Sequence, residues 1–232
     1  MLNQEHAEMV GAAFLAGRGL ARDGNVQPAL GYERPRLVHK VPKRAIRLDG
    51  EIANPHVVQK FDGKPLYYVL DKTAFGGGEV SVFSTVEQAK QYRQLGEGSK
   101  QAESSIKADG QAGLAPGTTG GYVTLHEHID YGGAAWTFWA NWGSIPDFRK
   151  VFPVLWWTTN INDRVSSIDT NIVANPAGTI VWTVLYQHIN FQGSQLWISN
   201  ADIQWFEEGP GLVRDLSIVG WNDVASSMSY EG

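Results

Sequence analysis

The sequence predicts a mostly β protein, built as a double Greek-key β-sandwich with a small α/β extension on its N-terminal side. Two observations lead to this prediction. The segment NDRVSSI at 162–168 returns as NDVASSM at 222–228, 60 residues later, and a period of that size indicates a repeated structural unit. Short apolar segments also alternate with turns rich in Gly, Asn and Pro about every ten residues, which is typical of an antiparallel sandwich.

A change in composition divides the chain near residue 120. Residues 1–120 carry 15 Lys and Arg against 13 Asp and Glu, whereas residues 121–232 carry 4 against 11. All nine tryptophans lie in the second part. Residues 96–120 are rich in Gly, Ser and Ala and poor in apolar side chains, so they are interpreted as a linker. The acidic and aromatic part at 121–232 is therefore predicted to form a domain of its own.

The two repeats align in phase. Each opens with an extended segment and a turn, VTLHEHIDYGG at 123–133 and VLYQHINFQG at 184–193, and each then enters an apolar strand and closes with Asn-Asp-x-x-Ser-Ser. The glycine that follows the aromatic residue of each turn is expected to take a positive φ angle, where a side chain would clash. Two repeats of about 55–60 residues suit two four-stranded Greek keys.

The second repeat carries the complete signature aromatic-x-x-x-x-aromatic-x-Gly at Tyr186, Phe191 and Gly193. With the Asn-Asp-x-x-Ser-Ser segment that closes each repeat, residues 121–232 resemble a microbial βγ-crystallin domain. In that superfamily two Greek keys pair into one sandwich, and loops of the pattern N/D-N/D-x-x-S/T-S cross over to hold two calcium ions. His126 departs from the pattern, because the first key usually has an aromatic residue there, and this is expected to weaken the cover over that hairpin.

The residue types of the two loops suit Ca²⁺, which takes six to eight oxygen ligands. The predicted ligands are two carboxylates, two amides, two hydroxyls and two main-chain carbonyls: Asp163, Asp223, Asn162, Asn222, Ser166, Ser226, Arg164 and Val224. The resemblance adds the main-chain carbonyls of Glu127 and Gln187, each of which is expected to complete the opposite site. The neighbouring Ser167 and Ser227 are expected to bond to backbone atoms instead. Because each site has few formal charges, we expect a dissociation constant on the order of 10⁻⁶ to 10⁻⁴ M.

Zinc is an alternative, because His126 and His128 lie two residues apart on one strand face and His188 repeats the second of them. No carboxylate or further histidine completes an obvious set, and the repeat itself explains these residues. The sequence has no cysteine, which excludes a disulfide framework, a thiolate metal site and a cysteine nucleophile. It also lacks a His-Glu-x-x-His motif, a phosphate-binding glycine loop and a Gly-x-Ser-x-Gly elbow, so we do not expect an enzyme.

The resemblance implies a non-enzymatic protein whose sandwich is rigidified by calcium, in a structural or stress-related role. The alternative is a protease inhibitor, or a module for protein or carbohydrate interaction that uses exposed aromatic loops; Trp156 and Trp157 cannot both be buried on one strand. The protein partner is left open. A membrane span is not expected, because the chain has no stretch of 18 apolar residues. Glu5 and Glu8 interrupt any secretory signal, and of the possible locations the cytoplasm is favoured.

The pattern of the two keys does not extend into the N-terminal half, and no family resemblance is identified there. Residues 1–50 are predicted to form a short helix at 4–17 and the extended basic segment RPRLVHKVPKRAIR at 34–47. Prolines break this segment, so it is interpreted as solvated rather than as a nucleic-acid site. Alternatively it lies on the acidic domain, as a clasp or as a removable pro-segment. Residues 51–95 are predicted to form a strand–strand–helix unit, its helix starting at a capping box of Ser84 and Glu87. This unit is too small for a core of its own. It is expected to pack against another part of the protein, and the sandwich is one candidate.

Overall fold

The structure is a computed structural model that describes residues 36–71, 74, 78–94, 120–140, 143–151, 159–173, 182–199 and 212–231. The chain divides into two compact units, Met1–Arg34 and Pro35–Gly232, and the described residues all belong to the second. The predicted helix at 4–17, the body of the predicted linker and the Trp156–Trp157 pair lie outside them. Within the described residues no helix combines the length and apolar character needed to cross a membrane.

The described residues fold mainly into short strands. The strands are β1 (Ile46–Leu48), β2 (Glu51–Ala53), β3 (Tyr67–Leu70), β4 (Val80–Phe83), β5 (Gly120–His126), β6 (Ala135–Trp139), β7 (Ser167–Val173), β8 (Trp182–His188), β9 (Gln192–Ser199), β10 (Leu212–Val213) and β11 (Ser227–Glu231). An α-helix, α1, covers residues 86–94. Short 3₁₀ helices include Pro55–Phe61, Ile129–Tyr131, Phe148–Lys150 and Leu216–Val219.

The strands form two sheets that exchange a strand between the keys. One sheet has the order β10-β7-β5-β6 and the other β11-β8-β9-β3-β4-β1-β2. In the first key, β5, β6 and β7 lie in the four-stranded sheet. The segment that stands third in this key, at Ile145, instead forms a β-bridge with Met228 of the second key. In the second key the third strand, β10, pairs with β7 of the first. Each key thus lends its third strand to the other's sheet, and the predicted double Greek-key sandwich is confirmed.

The core of the sandwich lies between the two sheets. Leu125 and Ile168 of the four-stranded sheet and Leu185 and Met228 of the seven-stranded sheet are fully buried in one hydrophobic cluster. In β5 these inward residues alternate with less buried ones, as expected for a strand with one face outward. This packing fixes the relative position of the loops that close the two keys.

The N-terminal strands extend the sheet of the second key. β3 pairs with β9 in parallel, with Tyr68 opposite Leu196, and β4, β1 and β2 continue the sheet outward. The β1–β2 hairpin turns at Asp49 and Gly50, which have positive φ angles. The hairpin therefore crosses the boundary between residues 1–50 and 51–95 that was predicted from the sequence. The predicted strand–strand–helix unit is therefore continuous with the sandwich, and a mostly β fold with a small α/β extension is confirmed.

Helix α1 covers the outer face of the seven-stranded sheet. Its Ala89 is buried in a second cluster with side chains from β3, β4, β8 and β9: Val69, Phe83, Trp182, Val184, Tyr186 and Trp197. The helix begins one residue later than the predicted capping box. The Thr85 hydroxyl accepts a hydrogen bond from the Gln88 amide at 3.3 Å and donates to the Gln88 side chain at 2.8 Å, so Thr85 and Gln88 take the roles expected of Ser84 and Glu87.

Arg93 anchors α1 to this face, and its replacement is expected to destabilise the protein. Its guanidinium lies 4.2 Å from the ring centre of Trp197 and 5.0 Å from that of Trp182, and it pairs with Glu231 at 2.8 Å while its side chain is only 11% exposed. We expect Arg93→Met to lower the free energy of unfolding by about 1–2 kcal/mol, measured by urea unfolding. Lys90→Met, on the exposed side of α1, is the control; equal stability of the two variants would contradict this role.

Residues 37–44 of the basic segment pack along the second key, so the segment is not the freely solvated stretch that the sequence suggested, although side chains such as Lys40 and Lys43 remain exposed. The amides of Lys43 and Arg44 donate to the carbonyls of Ser217 and Ile218 at 3.3 and 3.2 Å. Gly220 has a φ of +75°, and a Cβ there would lie only 2.2 Å from the Lys40 carbonyl oxygen. Residues 37–44 therefore lie along the second key, as the clasp alternative proposes. We call these residues the arm.

Candidate metal centre

The two Asn-Asp loops cross over each other at the junction of the keys. The Asp163 amide donates to the Ala225 carbonyl at 3.0 Å, and the Asp223 amide donates to the Val165 carbonyl at 2.9 Å. Both aspartates adopt left-handed backbone conformations, with φ angles of 53° and 52°, which aspartate and asparagine tolerate better than most residues. This reciprocal pair of hydrogen bonds carries the carboxylate of each loop into the other key.

The first candidate site combines oxygens from both keys. The Ser166 hydroxyl donates to the Glu127 carbonyl at 2.7 Å and lies 3.2 Å from Oδ1 of Asp223. Ser166 and Glu127 belong to the first key, whereas Asp223 comes from the loop of the second. A hydroxyl, a main-chain carbonyl and a carboxylate thus meet at one point.

The second candidate site repeats this arrangement with the keys exchanged. The Ser226 hydroxyl donates to the Gln187 carbonyl at 2.8 Å and lies 3.4 Å from Oδ1 of Asp163. The two sites are related by the same approximate symmetry as the keys, so each key completes the site of the other.

The second serine of each pair holds the adjoining hairpin and faces away from the sites. The Ser167 hydroxyl donates to the His128 carbonyl at 2.6 Å and accepts from the Tyr131 amide at 3.1 Å. Ser227 makes the matching bonds to His188, at 2.7 Å, and to Phe191, at 3.1 Å. Both hydroxyls therefore bond to backbone atoms, as the sequence predicts.

The remaining predicted ligands make other contacts. The side-chain amides of Asn162 and Asn222 donate to the carboxylates of the aspartates that follow them, at 2.6 and 2.5 Å. The guanidinium of Arg164 donates to the Asn160 carbonyl at 3.0 Å and forms an ion pair with the Glu127 carboxylate. Val224 is a mostly buried apolar residue. The structure thus brings together Glu127, Ser166 and Asp223, and separately Gln187, Ser226 and Asp163.

The electrostatics of the centre follow from burial and neighbouring charges. Burial raises the pKa of Asp163, and the nearby Asp223 carboxylate raises it further. The hydrogen bond from Arg164 lowers the pKa of Glu127, which also accepts from the Ala134 amide. Two carboxylates in crossed loops repel each other, and a cation between them would relieve that repulsion.

The first site opens into a surface cleft of about 480 Å³. Its lining combines oxygen-bearing side chains of both keys with one guanidinium, one imidazole and one apolar side chain: Glu127, His128, Ile129, Arg164, Ser166, Asn222 and Asp223. An ion and its waters can therefore reach the three oxygens of this site from solvent.

The hairpins of the two keys are covered alike, contrary to the expectation for His126. The rings of His126 and Tyr131 are 5.4 Å apart with an interplanar angle of 67°, and those of Tyr186 and Phe191 have the same separation and angle. The imidazole thus replaces the aromatic ring without loss of this edge-to-face contact. Gly133 and Gly193 have φ angles of 75° and 83°, which confirms the positive φ predicted for both turns.

The zinc alternative concerned His126, His128 and His188. In the part of the chain that the structure describes, no group of three or more His, Cys, Asp or Glu side chains converges on a point where a metal ion could be held. The candidate centre is therefore one of mixed oxygens, in which carbonyls and hydroxyls accompany single carboxylates. Such a set suits a hard cation better than zinc.

Solved structures match about half of the chain, whereas the comparisons with family models and curated proteins find no match. Solved structures that resemble it include a βγ-crystallin from Ciona intestinalis, at 22% identity and a TM-score of 0.33, covering 48% of this chain and 100% of that one. A βγ-crystallin from an archaeon has 21% identity and a TM-score of 0.31, covering 47% of this chain and 96% of that one.

A third similar chain was solved in work on the evolution of the eye lens βγ-crystallin domain fold. It has 24% identity and a TM-score of 0.33, and the match covers 51% of this chain and 93% of that one.

Proposed function

We propose that this chain, whose residues 120–232 have a βγ-crystallin-type fold, is a non-enzymatic calcium-binding protein with one ion at each of the two crossed-loop sites. The observation that carries the proposal is the reciprocity of the sites. Ser166 and Ser226 each lie between a carbonyl of their own key and a carboxylate of the other. Binding an ion there ties the two keys together, which suits a role in structural stability.

The chemistry of the oxygens supports calcium over other cations. Ca²⁺ accepts carboxylate, carbonyl, hydroxyl and water ligands in flexible geometries, whereas Mg²⁺ demands a near-ideal octahedron and gives up its waters reluctantly. In the described arrangement each serine hydroxyl donates to a carbonyl. To bind an ion, the hydroxyl hydrogen has only to turn away, so that the carbonyl and the hydroxyl both present lone pairs. Asn162 and Asn222 lie beside the two carboxylates and can add amide oxygens when their side chains rotate.

Calcium is expected to raise the melting temperature. An ion that binds only the folded state stabilises it by about 2.7 kcal/mol when its free concentration is a hundredfold above the dissociation constant, which corresponds to roughly 5–10 °C for a domain of this size. Thermal unfolding of chelator-stripped protein, with and without calcium, measures the shift. Magnesium at the same concentration serves as the matched cation and is expected to give a smaller rise.

Replacing both site hydroxyls tests where the ions bind. Ser166→Ala with Ser226→Ala removes one oxygen from each site, so calorimetric titration should show binding that is lost or weakened at least about tenfold. Ser84→Ala, at the start of α1, leaves the sites intact and should titrate as the parent does. A melting temperature that stays unchanged in excess calcium would count decisively against the proposal.

The alternative role as an inhibitor or interaction module stays a prediction. Trp139, on the outer face of the four-stranded sheet, is 48% exposed and lies 5.9 Å from Tyr122 in an edge-to-face arrangement. Stoichiometric inhibition of a protease that persists after chelation and is lost in Trp139→Ala would favour this role over calcium-linked stability.

A further inference from the structure

The two candidate sites have equivalent oxygens but different surroundings. At the first site the carbonyl residue is Glu127, whose carboxylate pairs with Arg164. At the equivalent positions of the second site the residues are Gln187 and Val224, which bring no charge. The net charge around the second site therefore depends on charged groups from other parts of the chain.

The arm approaches the second site. The side-chain amide of Gln187 donates to the Val38 carbonyl at 2.9 Å. A Cβ on Gly193, in the turn that follows, would lie 3.0 Å from Cδ2 of Leu37. These two contacts hold residues 37 and 38 against the hairpin whose carbonyl belongs to the second site.

Lys40 brings a positive charge to the same place. Its ammonium donates to the Asn222 carbonyl at 2.5 Å and lies 3.4 Å from the Asp223 carbonyl, in the loop that crosses over Asp163. Burial is the main influence on the pKa of Asp163 and raises it, while the hydrogen bond from Ser226 and the charge of Lys40 lower it. The ammonium thus lies on the loop that crosses over Asp163, where its positive charge acts on the carboxylate of the second site.

A count of formal charges separates the two sites. At the first site the carboxylates of Asp223 and Glu127 and the guanidinium of Arg164 leave one negative charge. At the second site the carboxylate of Asp163 is balanced by the ammonium of Lys40. Charge count is a principal determinant of calcium affinity at sites with similar ligands, so the first site should bind the ion more tightly.

We propose that the two calcium sites are unequal, and that Lys40, held on the second key by the arm, sets the lower affinity of the second site. Lys40 is a specificity-determining residue rather than a ligand: its ammonium opposes the approach of a divalent cation. The proposal rests on the calcium function proposed above. It assigns a role to the basic N-terminal segment, through the contact of Lys40 with the loop that holds Asn222 and Asp223.

Calorimetric titration of the full, chelator-stripped chain tests this assignment. In the parent we expect two sites whose dissociation constants differ by about tenfold, with the weaker site abolished by Ser226→Ala and the tighter by Ser166→Ala. Lys40→Met keeps the length of the side chain and removes the charge. It should tighten the weaker site about fivefold, the effect of one unit charge on a divalent ion across several ångströms of screened solvent.

Two control variants separate charge from contact. Lys40→Arg keeps the charge and should leave the weaker site within about twofold of the parent. Lys43→Met removes the same charge from the same arm, but at a lysine that is 66% exposed and pairs with Asp215 at 3.1 Å. It too should change the weaker site by less than about twofold.

The outcomes distinguish this inference from the function on which it rests. Two sites of equal affinity in the parent, or a Lys40→Met variant that titrates like Lys43→Met, would overturn the inference and leave calcium binding in place. Tightening of the weaker site in Lys40→Met alone supports it. An absence of binding in every variant would overturn both, because Lys40 would then have no site to modulate.

Discussion

Residues 120–232 expressed alone are expected to melt well below the full chain and to aggregate, although they contain both Greek keys. In the full chain β3 pairs with β9, and α1 covers the outer face of the same sheet. Excision opens the edge of β9 and exposes an apolar face. An unpaired edge next to an exposed apolar patch promotes association between chains.

The size of the effect follows from the side chains that lose their cover. Trp197 is 1% and Trp182 is 4% exposed, and Val184 is fully buried; returning such side chains to water costs roughly 1.5–3 kcal/mol each. Thermal unfolding gives the loss of stability, and size-exclusion chromatography gives the association state. An excised domain that is monomeric and melts with the full chain would show that the N-terminal strands are dispensable.

The first key provides a matched rescue for this experiment. The residues of the first key that correspond to Val184 and Trp197 are Thr124 and Thr137, which lie opposite each other on the outer face of the four-stranded sheet with their hydroxyls 3.0 Å apart. We expect Val184→Thr with Trp197→Thr to improve the solubility of the excised domain while destabilising the full chain. If the double variant makes the excised domain more soluble and the full chain less stable, the aggregation is caused by the loss of the covering N-terminal strands and α1. The fold of the two keys is then not its cause.

Trp221→Ala is expected to cost about 3–5 kcal/mol of unfolding free energy, or roughly 6–20 °C in melting temperature. Trp221 is 2% exposed, and its ring meets the edge of Tyr68 of β3 at a centroid distance of 5.9 Å. It directly precedes the Asn222 loop, so it joins the N-terminal extension to the second key beside the candidate metal centre. Truncation leaves a cavity at this junction.

Urea unfolding with Trp139→Ala as the control measures this contribution. Trp139 is 48% exposed, so the same truncation there removes little buried area and should cost less than about 1 kcal/mol. Equal losses in the two variants would show that Trp221 is not part of the core. Both variants lose one tryptophan, so the comparison also corrects for the change in tryptophan fluorescence when fluorescence is used to follow unfolding.

The repeat and the turns could be predicted from the sequence because their signals are local. The positive φ angles at Gly133 and Gly193 follow from steric rules within one turn. The crossing of the loops that begin at Asn162 and Asn222 was expected from the resemblance of residues 121–232 to a βγ-crystallin domain. Whether the sites hold calcium stays a prediction, which the titrations above address.

The extension of the sheet could not be predicted in the same way, because no local pattern specifies that β3 pairs with β9. A signal was nevertheless present in β8. Its sequence WTVLY at 182–186 has apolar residues on both faces of the strand, which is typical of a strand covered on both sides. The structure buries Trp182, Thr183, Val184 and Leu185 accordingly. The role of Lys40 was hidden for a similar reason, since its position depends on contacts between segments about 180 residues apart.

The exchange of third strands has a consequence for the order of folding. Ile145 pairs with Met228, and Leu212 pairs with Asp169, so neither key completes its sheet before the other is in place. Pairings between such distant residues form slowly. The two ion sites draw oxygens from both keys and come into existence only with the finished sandwich. An ion held there would slow unfolding without hastening folding, so its benefit would lie in how long the protein stays folded rather than in how quickly it gets there.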